Sequence, residues 1–180
     1  MDLGLEGKTA IISGASKGLG KAAAMSLARE GVEVTILSRT PDSIEAAAAD
    51  ISQATGRKAT AVAGDFNKAE DRERLLAACP EPDIVVNNPG VRQTPTPYDQ
   101  ISEEEWLRWL NDHFLSSIQM IQATAPGMAE RGFGRIVNMS VSFIKFPQSG
   151  FAHTHAARLA LSGAVAAMSR DLIRHNVTIN

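Results

Sequence analysis

"KTAIISGASKGLGKAAAMSLARE", Lys8 to Glu30, decides how this chain folds. Its first six residues form a short run rich in β-branched side chains, the signature of a buried strand. Its last ten, from Lys21, are strong helix formers, and Gly31 follows where a helix closes in left-handed backbone. Between the two lies a turn with glycines at 14, 18 and 20. With no Cβ in the way, such a turn lets backbone approach a pyrophosphate, and the N–H groups that open the helix face the anion. Glycines alone are weak evidence. Leaving a strand and opening a helix at the first crossover, they read as a dinucleotide-binding turn.

The alternation continues outward from this unit. Val32–Leu37 is a second strand. Asp42 with Glu45 reads as a capping box opening a helix that Gly56 closes. Residues 58–65 form a third strand, and Asn67 with Glu70 caps a short helix. Asp83–Asn88 is a fourth, apolar strand, followed by a proline-bearing loop from Val91 to Gln100. Ser102 with Glu105 starts a long helix from about Glu103 to Met128. Arg135–Ser140 is a fifth strand, a helix runs from about Thr154 to His175, and Val177–Asn180 begins a sixth strand. Continuous apolar strands alternating with helices predict an α/β fold: a doubly wound parallel sheet of Rossmann type, helices on both faces. Right-handed crossovers leave few other ways to connect it. No internal repeat or linker divides residues 1–180, so one domain is expected.

Composition narrows the functional classes. The 180 residues are 44% hydrophobic and 21% charged, with a net charge of −2. No basic block suggests nucleic acid. No apolar run approaches the ~20 residues that span a bilayer, and the N-terminus lacks the pattern of a secretory signal. The lone cysteine, Cys79, excludes an intrachain disulfide, fits a reducing, cytoplasmic compartment, and reads as a small buried hydrophobe.

The spacing G-x-x-x-G-x-G of Gly14, Gly18 and Gly20 resembles the short-chain dehydrogenase/reductase family. So do "NNPG" at Asn87–Gly90, "RGFGRIVNMS" at Arg131–Ser140 and "HNVTIN" at His175–Asn180, which follow in the family's order over nearly the whole chain. The likeness is to the 3-oxoacyl-carrier-protein reductase kind. It implies an NADP(H) cofactor held by Gly14, Ser16, Lys17, Gly18, Leu19 and Gly20 of the turn. Ser38 and Arg39 after the second strand, Asp65 and Phe66 after the third, Asn88 and Gly90 after the fourth, and Arg158 complete the implied set. An acidic residue after the second strand would favour NAD; "TILSRT" has none. Arg39 offers a forked guanidinium for a 2′-phosphate and Lys17 a second cation. Both also read as solvated surface charges, and Asp65 as a turn former.

The resemblance also implies where chemistry occurs, and there the chain departs. The family uses a tyrosine, a lysine four residues later, a serine and an asparagine. In "HTHAAR", His153–Arg158, Thr154 takes the tyrosine position and Arg158 the lysine position. The serine position falls on Val141, between Ser140 and Ser142, and the asparagine position on His113. Tyr98 is the only tyrosine and Lys145 the only lysine after it, so no other register restores the pair. Thr154 can hydrogen-bond a carbonyl but is too weak an acid to protonate an alkoxide. Arg158 can hold ribose and stabilise an oxyanion but not relay protons. His113 or His155 is the expected replacement proton donor. Each, with His153, also reads as a polar residue at a helix start or face. No acidic or cysteine ligand accompanies the three, so no metal site is expected.

The expected partners are a small-molecule carbonyl or alcohol substrate and further copies of the chain. The family's subunit interfaces fall on helices matching 103–128 and 154–175, giving a homodimer or homotetramer. The competing reading is a catalytically inactive NADP(H)-binding regulatory or scaffold protein. Family members continue past the sixth strand, so the last strand and most of the substrate lid are expected to be missing from these 180 residues.

Overall fold

Ile11 and Ile12, neighbours in the first strand, explain the layering: successive strand residues face opposite ways, and each isoleucine is buried in a different core. A computed structural model describes residues 2–90 and 94–180. Val91, Arg92 and Gln93, part of the expected proline-bearing loop, lie outside the described residues. Six strands form one sheet: β1 Thr9–Ser13, β2 Glu33–Ser38, β3 Ala59–Ala63, β4 Ile84–Asn87, β5 Gly134–Asn138 and β6 Val177–Ile179. Their order is β3-β2-β1-β4-β5-β6, every pair parallel. This is the expected doubly wound Rossmann sheet. Its order reverses between β1 and β4, which opens a crevice at the carboxyl ends of the strands.

Helices α1 Gly18–Arg29 and α2 Pro41–Thr55 cover one face. Ala24, Ala28 and Ala47 bring them close to Ile12, Ile36 and Val86. On the other face lie α3 Ala69–Ala78, α4 Glu103–Leu110, α5 Ser116–Arg131 and α6 Ala152–Leu172. There Leu75, Met120, Met128 and Leu161 pack on Ile11, Val85 and Ile136. Cys79, at the end of α3, is buried as expected, and burial pushes its thiol pKa up. Among the described residues no helix is long and apolar enough to cross a membrane.

The helix ends follow the glycines, while some starts differ from expectation. Gly31 and Gly56 take positive φ, +87° and +68°, at the ends of α1 and α2. Helix α1 begins at Gly18, three residues before Lys21. Helix α2 is capped by Thr40, not Asp42, because Pro41 suits the first helical position, where its fixed φ fits and no N–H is missed. Helix α3 is capped by Lys68, not Asn67. Asp65 delays that start: its Oδ1 accepts the Asn67 N–H at 3.0 Å and its carbonyl accepts the Lys68 N–H at 3.0 Å. The long helix starts as expected, Ser102 Oγ accepting the Glu105 N–H at 3.2 Å. It does not run unbroken to Met128: a π-helical turn at Asn111–Leu115 separates α4 from α5.

Candidate active site

The glycine turn closes on itself. Gly14 leaves β1 with φ +59°, and a Cβ there would lie 2.4 Å from the Asn88 carbonyl oxygen. On Gly20, a Cβ would lie 2.3 Å from the Gly14 carbonyl oxygen. Asn88 clamps the turn from β4: its Nδ2 donates to the Gly14 carbonyl at 3.2 Å and its N–H to Ser13 Oγ at 2.8 Å. The Ala15 N–H donates to the Leu37 carbonyl at 3.1 Å, tying the turn to β2. No side chain caps α1, and its first turn carries no acidic residue. Its opening N–H groups therefore have no competing intramolecular anion.

Beside the turn lies a cavity of about 580 Å³. Gly14, Ser16 and Lys17 line it from the turn, and Ser38 and Arg39 from the end of β2. Asp65, Phe66 and Gly90 close it from beyond β3 and β4. Gly18 and Leu19 are exposed at the start of α1, Gly20 is buried beneath them, and Asn88 sits behind Gly14. Among the described residues neither Lys17 nor Arg39 is in an ion pair. Ser38 Oγ and Asn67 Oδ1, on residues of the same wall, are buried and without a hydrogen-bond partner. A bound molecule with hydroxyl and phosphate groups would satisfy them. Asp65 acts as a turn former and lines the cavity as well.

The second cluster sits at the start of α6. Thr154 and Arg158 are buried; Arg158 Nε donates to Thr154 Oγ1 at 3.4 Å, and Nη1 donates to the Met139 carbonyl at 3.4 Å. Ser140, next in the chain after Met139, and Ser142, which opens a short 3₁₀ turn, are both exposed. The π turn places His113 flat against Trp109, ring centres 5.0 Å apart. His153 meets Trp109 edge-on at 4.6 Å. His113 is 1% exposed and neither ring nitrogen has a partner. Burial, reinforced by the charges of Arg158 and His153, pushes its pKa down to about 3. Burial lowers His153 as well. His113, Thr154 and Arg158 thus come together. His155 does not join them: it lines a separate cavity of about 740 Å³ with Tyr98, Pro95, Pro97 and Pro147, its Nδ1 buried and unpartnered.

Glycine turn, strand order and cavity agree with what the sequence matches: the short chain dehydrogenase family, over residues 8–180. The chain belongs to the short-chain dehydrogenase family. It is 32% identical over 187 residues to an uncharacterized oxidoreductase of Bacillus subtilis (strain 168), YvaG, covering all of this chain and 68% of that protein. It is 30% identical over 180 residues to human dehydrogenase/reductase SDR family member 4, covering 98% of this chain and 64% of the relative. The chain therefore spans about two thirds of the length of these relatives. Among solved structures, L-sorbose reductase from Gluconobacter frateurii, complexed with NADPH and L-sorbose, superposes with a TM-score of 0.91 at 26% identity. That match covers 98% of this chain and 68% of the reductase.

Within this short-chain dehydrogenase site, several contributors escape a reading of motifs. Asn87 Nδ2 donates to Asn138 Oδ1 at 2.9 Å and joins the ends of β4 and β5. The sequence offers Asn87 only as part of "NNPG". Asn67 reads as a helix cap, yet it lines the cavity with an orphaned oxygen. Trp109 gives a signal that could have been used, since an aromatic residue four positions before His113 on a helix is placed to stack on it.

Proposed function

We propose that this chain is the dinucleotide-binding unit of an NADP(H)-dependent oxidoreductase acting on a carbonyl or alcohol substrate. The cavity beside the glycine turn carries this reading. It offers two cations in no ion pair among the described residues, Lys17 and Arg39, an orphaned Ser38 hydroxyl, and no carboxylate at the end of β2. These residues fit a ribose bearing a 2′-phosphate better than one bearing a free 2′-hydroxyl. The L-sorbose reductase that shares the fold is complexed with NADPH, which supports the same choice. When bound, the nicotinamide supplies or accepts the hydride. The chain's own residues do the rest. Gly14 and Gly20 let the backbone approach the pyrophosphate, Asn88 fixes the turn, and Arg39 grips the 2′-phosphate.

Thr154 and Arg158 stand where the family has tyrosine and lysine. Thr154 orients the carbonyl and Arg158 supplies positive charge to the developing oxyanion. Of the two candidate acids, His113 lies in this cluster but is held neutral by its surroundings, whereas His155 lines a separate cavity; Ser140 and Ser142 stand at the rim. The substrate is a small or acyl ketone of the 3-oxoacyl type. Exposed Leu107, Leu115 and Leu159 on the outer helices support a homodimer or homotetramer. The free Cys79 supports a cytoplasmic setting.

Equilibrium titration with NADPH and NADH, read by nucleotide fluorescence, tests the reading. NADPH binds about tenfold tighter or more, and Arg39→Ala removes most of that preference, as loss of a charge-assisted contact to phosphate would. Binding of neither nucleotide overturns the proposal. A second reading, an NADP(H) binder without turnover, is favoured by one observation: the buried, neutral state of His113. A carbonyl screen separates the two. Turnover that falls on the order of a hundredfold in His113→Ala or His155→Ala supports the enzyme with a new acid. Tight NADPH binding without turnover of any carbonyl supports the binder.

A further inference from the structure

Asn67 brings to the wall of the cofactor cavity a polar atom that no step above uses. Its Oδ1 is buried and, among the described residues, has no hydrogen-bond partner. The Asn67 backbone is held on both sides. Its N–H donates to Asp65 Oδ1 at 3.0 Å, and its carbonyl accepts from Asn111 Nδ2 at 3.5 Å. Neighbouring groups are committed as well: the Asp65 N–H donates to Asp71 Oδ2 at 2.7 Å, and the Phe66 carbonyl accepts from Arg72 Nη1 at 2.7 Å. Buried polar atoms find partners in folded proteins, and an orphan calls for one from outside the chain. A carbonyl oxygen needs a donor. Phosphate oxygens accept, so the phosphates of a dinucleotide do not answer it.

Position identifies the donor. The cavity crosses the carboxyl ends of three neighbouring strands, on which Ser13, Leu37 and Val62 stand in register. Gly14 and Lys17 follow β1, Ser38 and Arg39 follow β2, and Asn67 follows β3. At about 4.8 Å per strand, Asn67 lies roughly 10 Å from the glycine turn. Among the described residues β3 ends the sheet. A dinucleotide with its pyrophosphate on the turn and its 2′-phosphate on Arg39 carries its next group, the base, to the end of β3. Adenine bears an exocyclic amino donor beside a ring nitrogen that accepts. An asparagine amide presents the complementary acceptor and donor, a pairing that reads adenine wherever the two meet edge to edge.

We propose that Asn67 selects the base of the cofactor, its Oδ1 accepting from the exocyclic amino group of adenine and its Nδ2 donating to the adjacent ring nitrogen. This rests on the NADP(H) reading above and adds the residue that sets base specificity. A base with a carbonyl in place of the amino group brings acceptor against acceptor and leaves Oδ1 unsatisfied.

NADPH and its deaminated analogue, in which hypoxanthine replaces adenine and the 2′-phosphate and nicotinamide are kept, are the probes. Both are titrated by nucleotide fluorescence, with NADH alongside. The native chain binds NADPH about tenfold tighter than the analogue or more, the scale of a buried acceptor left without its donor. Asn67→Leu brings the two affinities together, and Asn67→Gln, which keeps the amide on a longer stem, retains part of the difference. The preference for NADPH over NADH, set by Arg39, survives in both variants. Asn67→Leu also unfolds in urea no earlier than the native chain, since Oδ1 has no partner to lose. Equal affinity of the native chain for NADPH and the analogue overturns the inference and leaves the NADP(H) reading standing. A base preference that persists in Asn67→Leu also overturns it and moves base recognition to Asp65. Loss of both preferences together, or a marked loss of stability in Asn67→Leu, makes Asn67 a structural residue and overturns it too. Binding of none of the three nucleotides by the native chain sinks the NADP(H) reading itself.

Discussion

Gly20→Ala is expected to abolish NADPH binding and to destabilise the fold by about 3 kcal/mol, the upper part of the range for forcing an extra carbon into a packed interior. The new Cβ would lie 2.3 Å from the Gly14 carbonyl oxygen, 2.9 Å from the Gly14 carbonyl carbon and 3.0 Å from the Ala15 Cα. All three are backbone atoms, so no side-chain rotation relieves the contact. Relief requires α1 to move away from the turn, but Ala24 and Ala28 fix α1 against the sheet with no exposed surface to yield. The first N–H groups of α1 move with the helix, and the anion site moves with them. Gly163→Ala is the control. That glycine lies within α6 with nothing within 4 Å of its would-be Cβ, so alanine there stabilises by up to about 1 kcal/mol. Urea denaturation and NADPH titration of the two variants check this. A Gly20→Ala protein with native midpoint and native affinity would show that the turn has slack this geometry denies.

That a glycine turn could be placed from sequence, and a histidine could not, has a physical reason. The strands are continuous apolar runs because both faces of the sheet are covered, and Ile11 and Ile12 need no knowledge of tertiary structure to be read as strand. Gly31 and Gly56 end helices because positive φ disfavours other residues, which is a local property. The cavity residues follow because each lies at a strand end, fixed by local order. Helix starts were less legible: Pro41 and the Asp65 turn each compete with a plausible cap a residue or two away. The π turn is harder still. It inserts one residue into a helix without breaking the apolar pattern around it, and π turns of this kind recur at functional sites. Residues 153, 154 and 155 are consecutive, so along an α-helix they point about 100° apart. His153 meets the Trp109 ring, Thr154 meets Arg158, and His155 faces the proline-lined cavity. Clustering in sequence placed three histidines near one site; the rotation of α6 divided them between two.

His113 gives the second large expected effect, a loss of stability as the medium turns mildly acidic. Its pKa is pushed down to about 3 from 6.5 because burial disfavours the charged ring and Arg158 repels it. In the unfolded chain the ring is free to take a proton near pH 6.5. Below that value the unfolded state binds more protons than the folded one, so stability falls with falling pH, and the loss continues until the folded ring titrates near 3. Each pH unit within that window costs at most about 1.4 kcal/mol for this one group. Above pH 6.5 both states are neutral and the full stability is present. His153, lowered in the same direction, adds to the slope, whereas burial raises the Asp112 pKa and opposes it. Comparison with His113→Asn isolates the single ring, since the other two groups remain. Between pH 6.5 and 4.5 the native chain loses about 2 to 3 kcal/mol more than the variant, measured by urea denaturation at each pH. The same shift bears on catalysis, because a ring that stays neutral throughout this range has no charged proton to give an alkoxide. If native and variant instead lose stability in parallel, His113 titrates in the folded state near its ordinary value, and it returns as the acid that the missing tyrosine leaves open.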